Sequence, residues 1–416
     1  MPNSAHQREP AECSDFASTV DPIPPAEPSP PDVPGGRIGV AVMIDSLARP
    51  GGGERLAVEG VLGLDPTRYE RFFVITRWDA AAHRGSGGEP LIERLDRGGV
   101  EVIRLERSSR LSLGAWAPLV RLLRSGRVDV LHAHLFGSNV WASVLGTLTR
   151  TAAIVAHEHM WAYDAGARLR PLLDRHLIGR LADAFVAVSR EGVRGMVARE
   201  GIPPEKVAFL PNGVRALGAG DGRAVRGEFG IPATAPLLVS VGHLRPEKSF
   251  GTLVEALAEL RARGVNAHAL IAGEGPEREM LEQLAADLDV TGHLALAGAR
   301  EDVADLLATA DIGVCCSRFE GGPLSVMEYM QAGLPVLATR VGGLPELVAD
   351  GVTGVLVPPG DARELAAAAA GLIADPARAA ALGTAGRDAV GRDYALDVWV
   401  RRLETLYSRL LSEPPG

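Results

Sequence analysis

The chain has 416 residues and a formal net charge of −9, and it is longer than one hydrophobic core usually supports, so two domains are expected. Hydrophobic residues make up 46%, which permits ordinary globular cores, yet no run of eighteen apolar residues predicts a membrane helix and no basic-then-apolar start predicts a secretory signal. Its three cysteines (Cys13, Cys315 and Cys316) exclude a disulfide framework, so a cytoplasmic protein is expected.

Charge is unevenly distributed along the chain. Residues 37–208 carry 24 basic and 19 acidic side chains, although the whole protein is acidic. This basic segment has two interpretations: it meets an anionic acceptor or a membrane surface, or it is a solvated basic face. Only two lysines occur, Lys206 and Lys248, and arginine supplies every other basic side chain. A lysine beside a glycine-containing loop is therefore a candidate functional residue.

The first ordered element follows a tail. Residues 1–36 are rich in Pro, Glu, Ser and Asp and are predicted to be disordered. The run 38–44 then predicts a buried strand, and Gly51-Gly52-Gly53 precedes a predicted helix. A glycine loop here lets the backbone approach a ligand, or it is a flexible turn. Its spacing matches neither a dinucleotide-binding fingerprint nor a P-loop.

Strands and helices alternate from residue 37 to residue 210, which predicts a first domain with a parallel sheet. His132 and His134 end one predicted strand, and His157 and His159 end the next. The carboxyl ends of parallel strands are where open α/β sheets bind ligands. A zinc site is conceivable there, but no carboxylate or cysteine set completes it, so no metal is predicted.

Between these strands, the segment 104–127 mixes six arginines with leucines and Trp116. It predicts an amphipathic basic helix that touches lipid headgroups, or a helix packed on the sheet with a solvated arginine face. Residues 211–223 form a predicted linker that contains a Pro-Asn-Gly turn. A second domain is predicted for 224–390, and a last helical segment for 391–416.

Two loops of the second domain carry candidate binding residues. The loop after the predicted strand 236–241 holds His243, Arg245 and Lys248, and Gly273 follows the next strand. The stretch 318–335 supplies Glu320, two glycines, a helix start and a second glutamate, so its helix N-terminus is suited to an anion. The other interpretation is an ordinary turn with solvated glutamates. The binding candidates in this stretch are Glu320, Gly321, Gly322, Pro323, Leu324 and Glu328.

This stretch resembles the donor-site motif of the family 4 retaining glycosyltransferases. The two glutamates are separated by seven residues, EGG-P opens the motif and A-G-L-P-V follows it; GGGER, HAH and the Pro-Asn-Gly turn are similar to other parts of that family. The resemblance implies the GT-B fold, in which two Rossmann-like, doubly wound parallel-sheet domains face a cleft. It also implies a nucleotide-diphosphate sugar as donor substrate, with no cofactor and no metal.

The resemblance assigns roles residue by residue. Lys248 binds the donor diphosphate, but His243 stands where the family usually has a second cation, and Arg245 is the candidate replacement. Glu320 holds donor-sugar hydroxyls, Glu328 the ribose, and His159 (with His157 as the alternative) lies near the reacting carbon. The remaining implied positions are the diphosphate-facing loop Gly51, Gly52 and Gly53, the nucleotide turn at Gly273, the helix start Gly321 to Leu324, and the acceptor-side His132, His134 and His157.

The predicted function is therefore a retaining glycosyltransferase that transfers a sugar to a glycan, lipid-linked or small-molecule hydroxyl. The alternatives are a sugar-nucleotide epimerase of the same fold and a non-catalytic sugar-nucleotide- or lipid-binding protein. No nucleic-acid partner is expected, and peripheral membrane contact would use the basic first domain. The resemblance also packs the last helix back on the first domain, and acceptor choice is expected to depend on the loops 77–90 and 160–170.

Overall fold

The computed structural model describes residues 20–25, 36–83, 89–107, 112–159 and 170–412. The chain divides into two compact units, Met1–Gly213 with Leu396–Gly416, and Val214–Ala395. Each unit is built on one parallel sheet, of seven strands in the first and six in the second. The predicted fold class, two Rossmann-like α/β domains, is confirmed.

The first sheet is made of short apolar runs, most of them buried on both faces, as parallel strands require. Its strand order is β3-β2-β1-β4-β5-β6-β7. The strands are β1 (Ile38–Ile44), β2 (Tyr69–Ile75), β3 (Glu101–Arg104), β4 (Val130–His134), β5 (Ala153–Glu158), β6 (Ala184–Ala187) and β7 (Val207–Phe209).

Helices connect these strands and cover the sheet. The α-helices of the first unit are Gly52–Gly63, Ala80–His83, Glu89–Arg97, Ala117–Arg124, Phe136–Thr149, Arg170–Leu173, Gly179–Leu181, Arg190–Arg194 and Leu396–Ser412. Short 3-10 turns occur at Leu113–Trp116 and Pro204–Lys206, and π turns at Asp174–Ile178 and Gly195–Arg199.

The second sheet has the order β10-β9-β8-β11-β12-β13. Its strands are β8 (Leu237–Val241), β9 (His268–Ala272), β10 (Leu294–Gly298), β11 (Ile312–Cys315), β12 (Val336–Thr339) and β13 (Gly354–Val357). Its α-helices are Arg223–Glu228, Phe250–Ala262, Arg278–Asp287, Val303–Ala308, Leu324–Gln331, Leu344–Leu347, Ala362–Ala374 and Pro376–Asp393, with 3-10 turns at Pro246–Lys248 and Thr291–His293.

Alternate residues of the second sheet enter two different cores. Leu238 and Ile271 belong to one hydrophobic cluster, whereas Val239 and Leu270 belong to another. Both faces of the sheet are therefore covered, which is the doubly wound arrangement. The strand order reverses between β8 and β11, and in the first sheet between β1 and β4. Open α/β sheets bind ligands at such switch points, at the carboxyl ends of the strands.

The last helix, Leu396–Ser412, belongs to the first unit. Trp399 is 1% exposed and lies against Gly60, where a Cβ would come within 2.8 Å of the indole. A larger residue at position 60 would displace that ring. Among the described residues no single helix is long and apolar enough to cross a membrane; Ala362–Ala374 and Pro376–Asp393 reach that level only as a pair bent by 102°.

Part of the predicted disordered tail is ordered. Within residues 1–36, the extended segment 20–25 lies against the first unit: Ile23 is buried, and its N–H donates to the Phe209 carbonyl of β7 at 3.0 Å. Arg190 donates to the Val20 carbonyl at 2.8 Å. Composition did not reveal this contact, because a single apolar side chain and two hydrogen bonds hold it.

Candidate active site

The two most specific sequence candidates of the second unit bind each other. Lys248 follows β8 and Glu320 follows β11, so the two loops meet at the switch point of the sheet. Lys248 Nζ donates to Glu320 Oε1 at 2.6 Å, and the glutamate side chain is only 6% exposed. Burial opposes the charge on Lys248, but the Glu320 carboxylate outweighs it and raises the pKa of Lys248. The lysine is therefore a cation at neutral pH.

The backbone of Glu320 is held as firmly as its side chain. The Gly343 N–H donates to the Glu320 carbonyl at 3.0 Å. Gly342 adopts a φ of +54°, and a Cβ there would overlap the same carbonyl oxygen. Sequence reasoning did not assign these two glycines to the site. A glycine pair after a predicted strand is the signal that could have identified them.

The helix Leu324–Gln331 begins beside this carboxylate, with Pro323 at its N-cap. Tyr329 fixes the helix on the sheet, because its hydroxyl accepts the Val241 N–H at 2.6 Å and its ring fills the space that a Cβ on Gly313 would need. The free N–H groups of the first turn and the helix dipole favour an anion at this end. The predicted helix start is present, and the first helical residue, Leu324, lies four positions after Glu320.

The other predicted donor residues surround the same loops. Arg245 is 57% exposed and lies 3.9 Å from Glu247, so it is a solvated cation rather than part of a tight pair. His243 and Glu328 are half-buried. A Cβ on Gly273 would overlap the Gly242 carbonyl, so the two loops touch only because that residue is glycine.

Both cysteines of the second unit are buried, as predicted. Cys315 Sγ lies 3.9 Å from Glu320 Oε1, and Cys316 Sγ lies 3.4 Å from the Lys248 carbonyl. Burial raises the pKa of Cys315 to about 12 and raises that of Cys316 as well. Neither thiol is therefore a nucleophile near neutral pH.

In the first unit the glycine loop packs on His159. A Cβ on Gly53 would come within 2.9 Å of Cδ2 of that ring. The helix Gly52–Gly63 begins here, and Glu54 accepts the Gly51 N–H at 3.0 Å. The loop is therefore a fitted surface over the histidine and not a loose turn.

The four predicted histidines form one buried layer at the carboxyl ends of β4 and β5. His132, His134 and His157 are each at most 1% exposed and His159 is 8% exposed. His134 Nδ1 lies 2.8 Å from His159 Nε2, and His132 Nε2 lies 3.2 Å from His157 Nδ1. The last helix completes the layer, since the Tyr407 hydroxyl lies 2.7 Å from His132 Nδ1.

Three of these rings have nitrogens close enough to suggest a metal. One ring nitrogen from each of His132, His134 and His157 lies within 4.8 Å of the others. The rings stack, however, with interplanar angles of 5° to 30°. Imidazole nitrogens bond in the plane of the ring, and His132 Nε2 and His157 Nδ1 already face each other at 3.2 Å. The layer is better described as two hydrogen-bonded imidazole pairs.

Burial keeps the histidine layer neutral. It lowers the pKa of His132 to about 3 and that of His159 to about 4, where a hydrogen bond to Asn212 partly offsets it. The pKa values of His134 and His157 also fall well below their usual range, because both rings are buried among the others. A neutral His159 accepts or donates a hydrogen bond without adding charge.

A second buried polar group beside the layer escaped prediction. Glu158 accepts from Arg170 Nη2 at 2.8 Å, and Asp174 lies 3.6 Å from the same guanidinium. Glu200 is buried next to Asp174, and burial with the neighbouring carboxylate raises the pKa of Glu200 well above its usual value. A proton held by Glu200 would lessen the repulsion between these two carboxylates. Of the two predicted acceptor loops, 77–90 and 160–170, residues 84–88 and 160–169 lie outside the described residues.

The helix in the segment 104–127 packs on the sheet, which is the second of the two interpretations given for that segment. In the helix Ala117–Arg124, Leu119, Leu122 and Leu123 are buried in the core with Trp116, and the arginines face outward. The apolar face is therefore unavailable to lipid. Arg110 and Leu111, which contributed to the amphipathic pattern, lie outside the described residues.

Two family models match the chain and together span most of it. Residues 50–216 match the model described as Glycosyltransferase Family 4, and residues 222–389 match the model described as Glycosyl transferases group 1. The chain belongs to glycosyltransferase family 4. It is thus a glycosyltransferase, and the resemblance drawn from its motifs is confirmed.

Curated relatives agree with this family. A Mycolicibacterium smegmatis GDP-mannose-dependent alpha-(1-6)-phosphatidylinositol monomannoside mannosyltransferase is 34% identical over 76% of this chain and 85% of its own length. A D-inositol 3-phosphate glycosyltransferase from Thermobispora bispora is 31% identical over 69% and 72%. Among solved structures, Anabaena HepE in complex with UDP and glucose has a TM-score of 0.77 at 21% identity, covering 88% of this chain and 98% of that protein. That likeness supports the GT-B fold.

Proposed function

We propose that the protein is a retaining glycosyltransferase that moves a sugar from a nucleotide-diphosphate sugar to a hydroxyl acceptor. The Lys248–Glu320 pair carries this proposal, because it places a cation and a carboxylate at the switch point of the second sheet. The cation can neutralise a diphosphate, and the carboxylate can accept hydrogen bonds from sugar hydroxyls. The family supports the same reaction class.

The second domain binds the donor. Lys248 and the exposed Arg245 neutralise the diphosphate, together with N–H groups at the start of the helix Leu324–Gln331. Charge on the leaving diphosphate grows as the glycosidic bond breaks, so these groups stabilise the transition state more than the bound donor. Glu320 holds sugar hydroxyls and Glu328 the ribose. Gly273 and the His243 loop receive the nucleotide.

The first domain supplies His159 and the acceptor site. The acceptor oxygen attacks the anomeric carbon on the face that the diphosphate leaves, and its proton passes to the leaving phosphate. This front-side route gives retention and needs no protein base. A buried, neutral His159 suits a position near the reacting carbon, since it offers polarity without competing for the phosphate charge. The Gly51–Gly53 loop fixes that ring, and His132, His134 and His157 support it.

The relatives set the order in which substrates are tested. Several are named for GDP-mannose and phosphatidylinositol mannosides, and others for D-inositol 3-phosphate. GDP-mannose is therefore the first donor, followed by UDP-sugars, and inositol-based glycolipids and phosphates are the first acceptors. Contact with a membrane from the cytoplasmic side would involve the outward arginines of the first domain, and a comparison of binding to anionic and to neutral vesicles tests it.

The reaction is proposed to need no metal and no cofactor. Melting temperature is measured with GDP, UDP, ADP and dTDP, each with and without EDTA. A diphosphate at about 100 times its dissociation constant stabilises the fold by about 2.7 kcal/mol, which gives a visible shift. Transfer is then assayed with the matching nucleotide sugar, and the anomeric configuration of the product is read by NMR. An inverted product, or activity that EDTA abolishes, overturns the corresponding part of the proposal.

Two alternatives give different results in the same assay. A sugar-nucleotide epimerase converts its donor without any acceptor, so the donor is analysed alone. A non-catalytic binding protein shifts its melting temperature but forms no product with any donor and acceptor pair. A transferase forms product that depends on the acceptor.

A further inference from the structure

The carboxylate of Glu320 is held on one oxygen only. Oε1 accepts from Lys248 Nζ at 2.6 Å and from Ser317 Oγ at 2.6 Å, with Cys315 Sγ at 3.9 Å. Within the described part of the chain, Oε2 accepts no hydrogen bond. One oxygen is saturated by the protein and the other is left for a ligand.

Ser317 is itself held in place by a hydrogen bond from the neighbouring strand. It is 2% exposed, and its carbonyl accepts from Thr339 Oγ1 at 2.6 Å. Thr339 ends β12 and is 1% exposed. The hydroxyl of Ser317 therefore sits at a fixed point relative to the sheet, unlike the ammonium of Lys248, which stands at the end of a four-carbon stem.

This difference matters once a donor binds. If the proposed function holds, Lys248 turns part of its charge toward the diphosphate, and its bond to Glu320 weakens. Ser317 then becomes the group that still holds Oε1. Without it, the carboxylate would follow the lysine toward the phosphate and leave the sugar.

We propose that Ser317 is a positioning residue that keeps Oε2 of Glu320 directed at the donor-sugar hydroxyls while Lys248 binds the diphosphate. The proposal rests on the proposed function, since it concerns the same donor. It predicts that Ser317 contributes to binding of the sugar but not of the nucleoside diphosphate. A hydroxyl that only filled the core would make no such distinction.

The test uses Ser317→Ala, with Ser317→Thr as the variant that retains the hydroxyl and Ser240→Ala as the matched control. Ser240 is also 2% exposed and donates to a backbone carbonyl, that of Val314 at 2.7 Å, but does not touch Glu320. Full-length proteins are compared by kcat and KM, and by calorimetric Kd values for the nucleoside diphosphate and for the nucleotide sugar.

For Ser317→Ala we expect kcat to fall about 10- to 100-fold, the scale of one hydrogen bond to a charged group. The Kd of the diphosphate stays within a factor of two or three of wild type, whereas the extra affinity that the sugar provides is lost. Ser240→Ala retains the wild-type kcat and the affinity that the sugar provides. Ser317→Thr recovers a large part of kcat.

Three outcomes decide the matter. Equal kinetics for Ser317→Ala and Ser240→Ala overturn the role of Ser317 and leave the transferase assignment intact. A wild-type protein that transfers no sugar from any donor overturns the proposed function and, with it, this proposal. A crystal structure of Ser317→Ala with the diphosphate bound tests the same role independently of kinetics. A Glu320 carboxylate in its wild-type position in that structure would contradict the positioning role of Ser317.

Discussion

The two domains place polar groups at the carboxyl ends of similar parallel sheets but treat charge in opposite ways. The first domain buries four histidines and keeps them neutral, linked to one another and to Tyr407. The second domain holds a charged pair, in which the glutamate is buried, and provides a second donor to its carboxylate. A neutral layer gives shape without charge, whereas an ion pair keeps a cation ready for a phosphate. Under the proposed function, this difference fits the first domain to an acceptor and the second to a charged donor.

Removal of the charge in the second domain is expected to have the largest effect. Lys248→Ala should lower kcat about 10²–10³-fold, the scale of one lost oxyanion donor, as measured by steady-state kinetics. The chain offers a matched control in Lys206, its other lysine, which donates to the backbone carbonyls of Arg180 and Ala182. Lys206→Ala should turn over like wild type. A loss of less than tenfold in Lys248→Ala would falsify the diphosphate role.

Low pH should destabilise the fold through the neutral histidine layer. The folded-state pKa values of the layer are lowered, so the unfolded chain binds more protons than the folded one below about pH 6.5. Stability should therefore fall with pH from 6.5 downward, by about 2 kcal/mol for each buried histidine at pH 5. Urea unfolding as a function of pH measures this. His132→Gln should reduce the slope, whereas the exposed His176→Gln should not.

A smaller effect is expected from crowding the layer. Gly53→Ala places a Cβ within 2.9 Å of the His159 ring, so the ring or the loop must shift. We expect kcat to fall about tenfold, since small displacements at a reacting centre are costly. Gly114→Ala, in open space, is the control. Unchanged kcat in Gly53→Ala would show that the loop does not position His159.

The smallest expected effect concerns the Asp174–Glu200 cluster. The pKa of Glu200 is raised in the fold, so the folded chain holds a proton that the unfolded chain loses above its usual value near 4.5. Stability should therefore decline as pH rises from there toward the raised value, by about 1–2 kcal/mol in all. In thermal unfolding between pH 6 and pH 9, Glu200→Gln should flatten this decline. An equally steep decline in the variant would assign it to other groups.

Sequence patterns predicted the fold because nearly every strand is a short apolar run buried on both faces. Such runs can be recognised from the sequence alone. They also placed Lys248, Glu320 and the four histidines, since a rare lysine and a motif with fixed spacing stand out. Contacts between distant segments were not predictable. Tyr407 reaches His132 across 275 positions, and Ser317 acquires its role from the geometry of Glu320 and Thr339. Serine at a strand end is too common to indicate such a role.

The segment 20–25 has a practical consequence for handling the protein. β7 is the last strand of its sheet, and Ile23 covers part of that edge with one backbone hydrogen bond. A chain shortened to begin at Arg37, the start suggested by composition, would uncover the Phe209 carbonyl and the apolar surface under Ile23. Uncovered edge strands pair with other chains, so such a truncation invites self-association. A chain that begins before Val20 retains the native cover and is the better starting point for crystallisation.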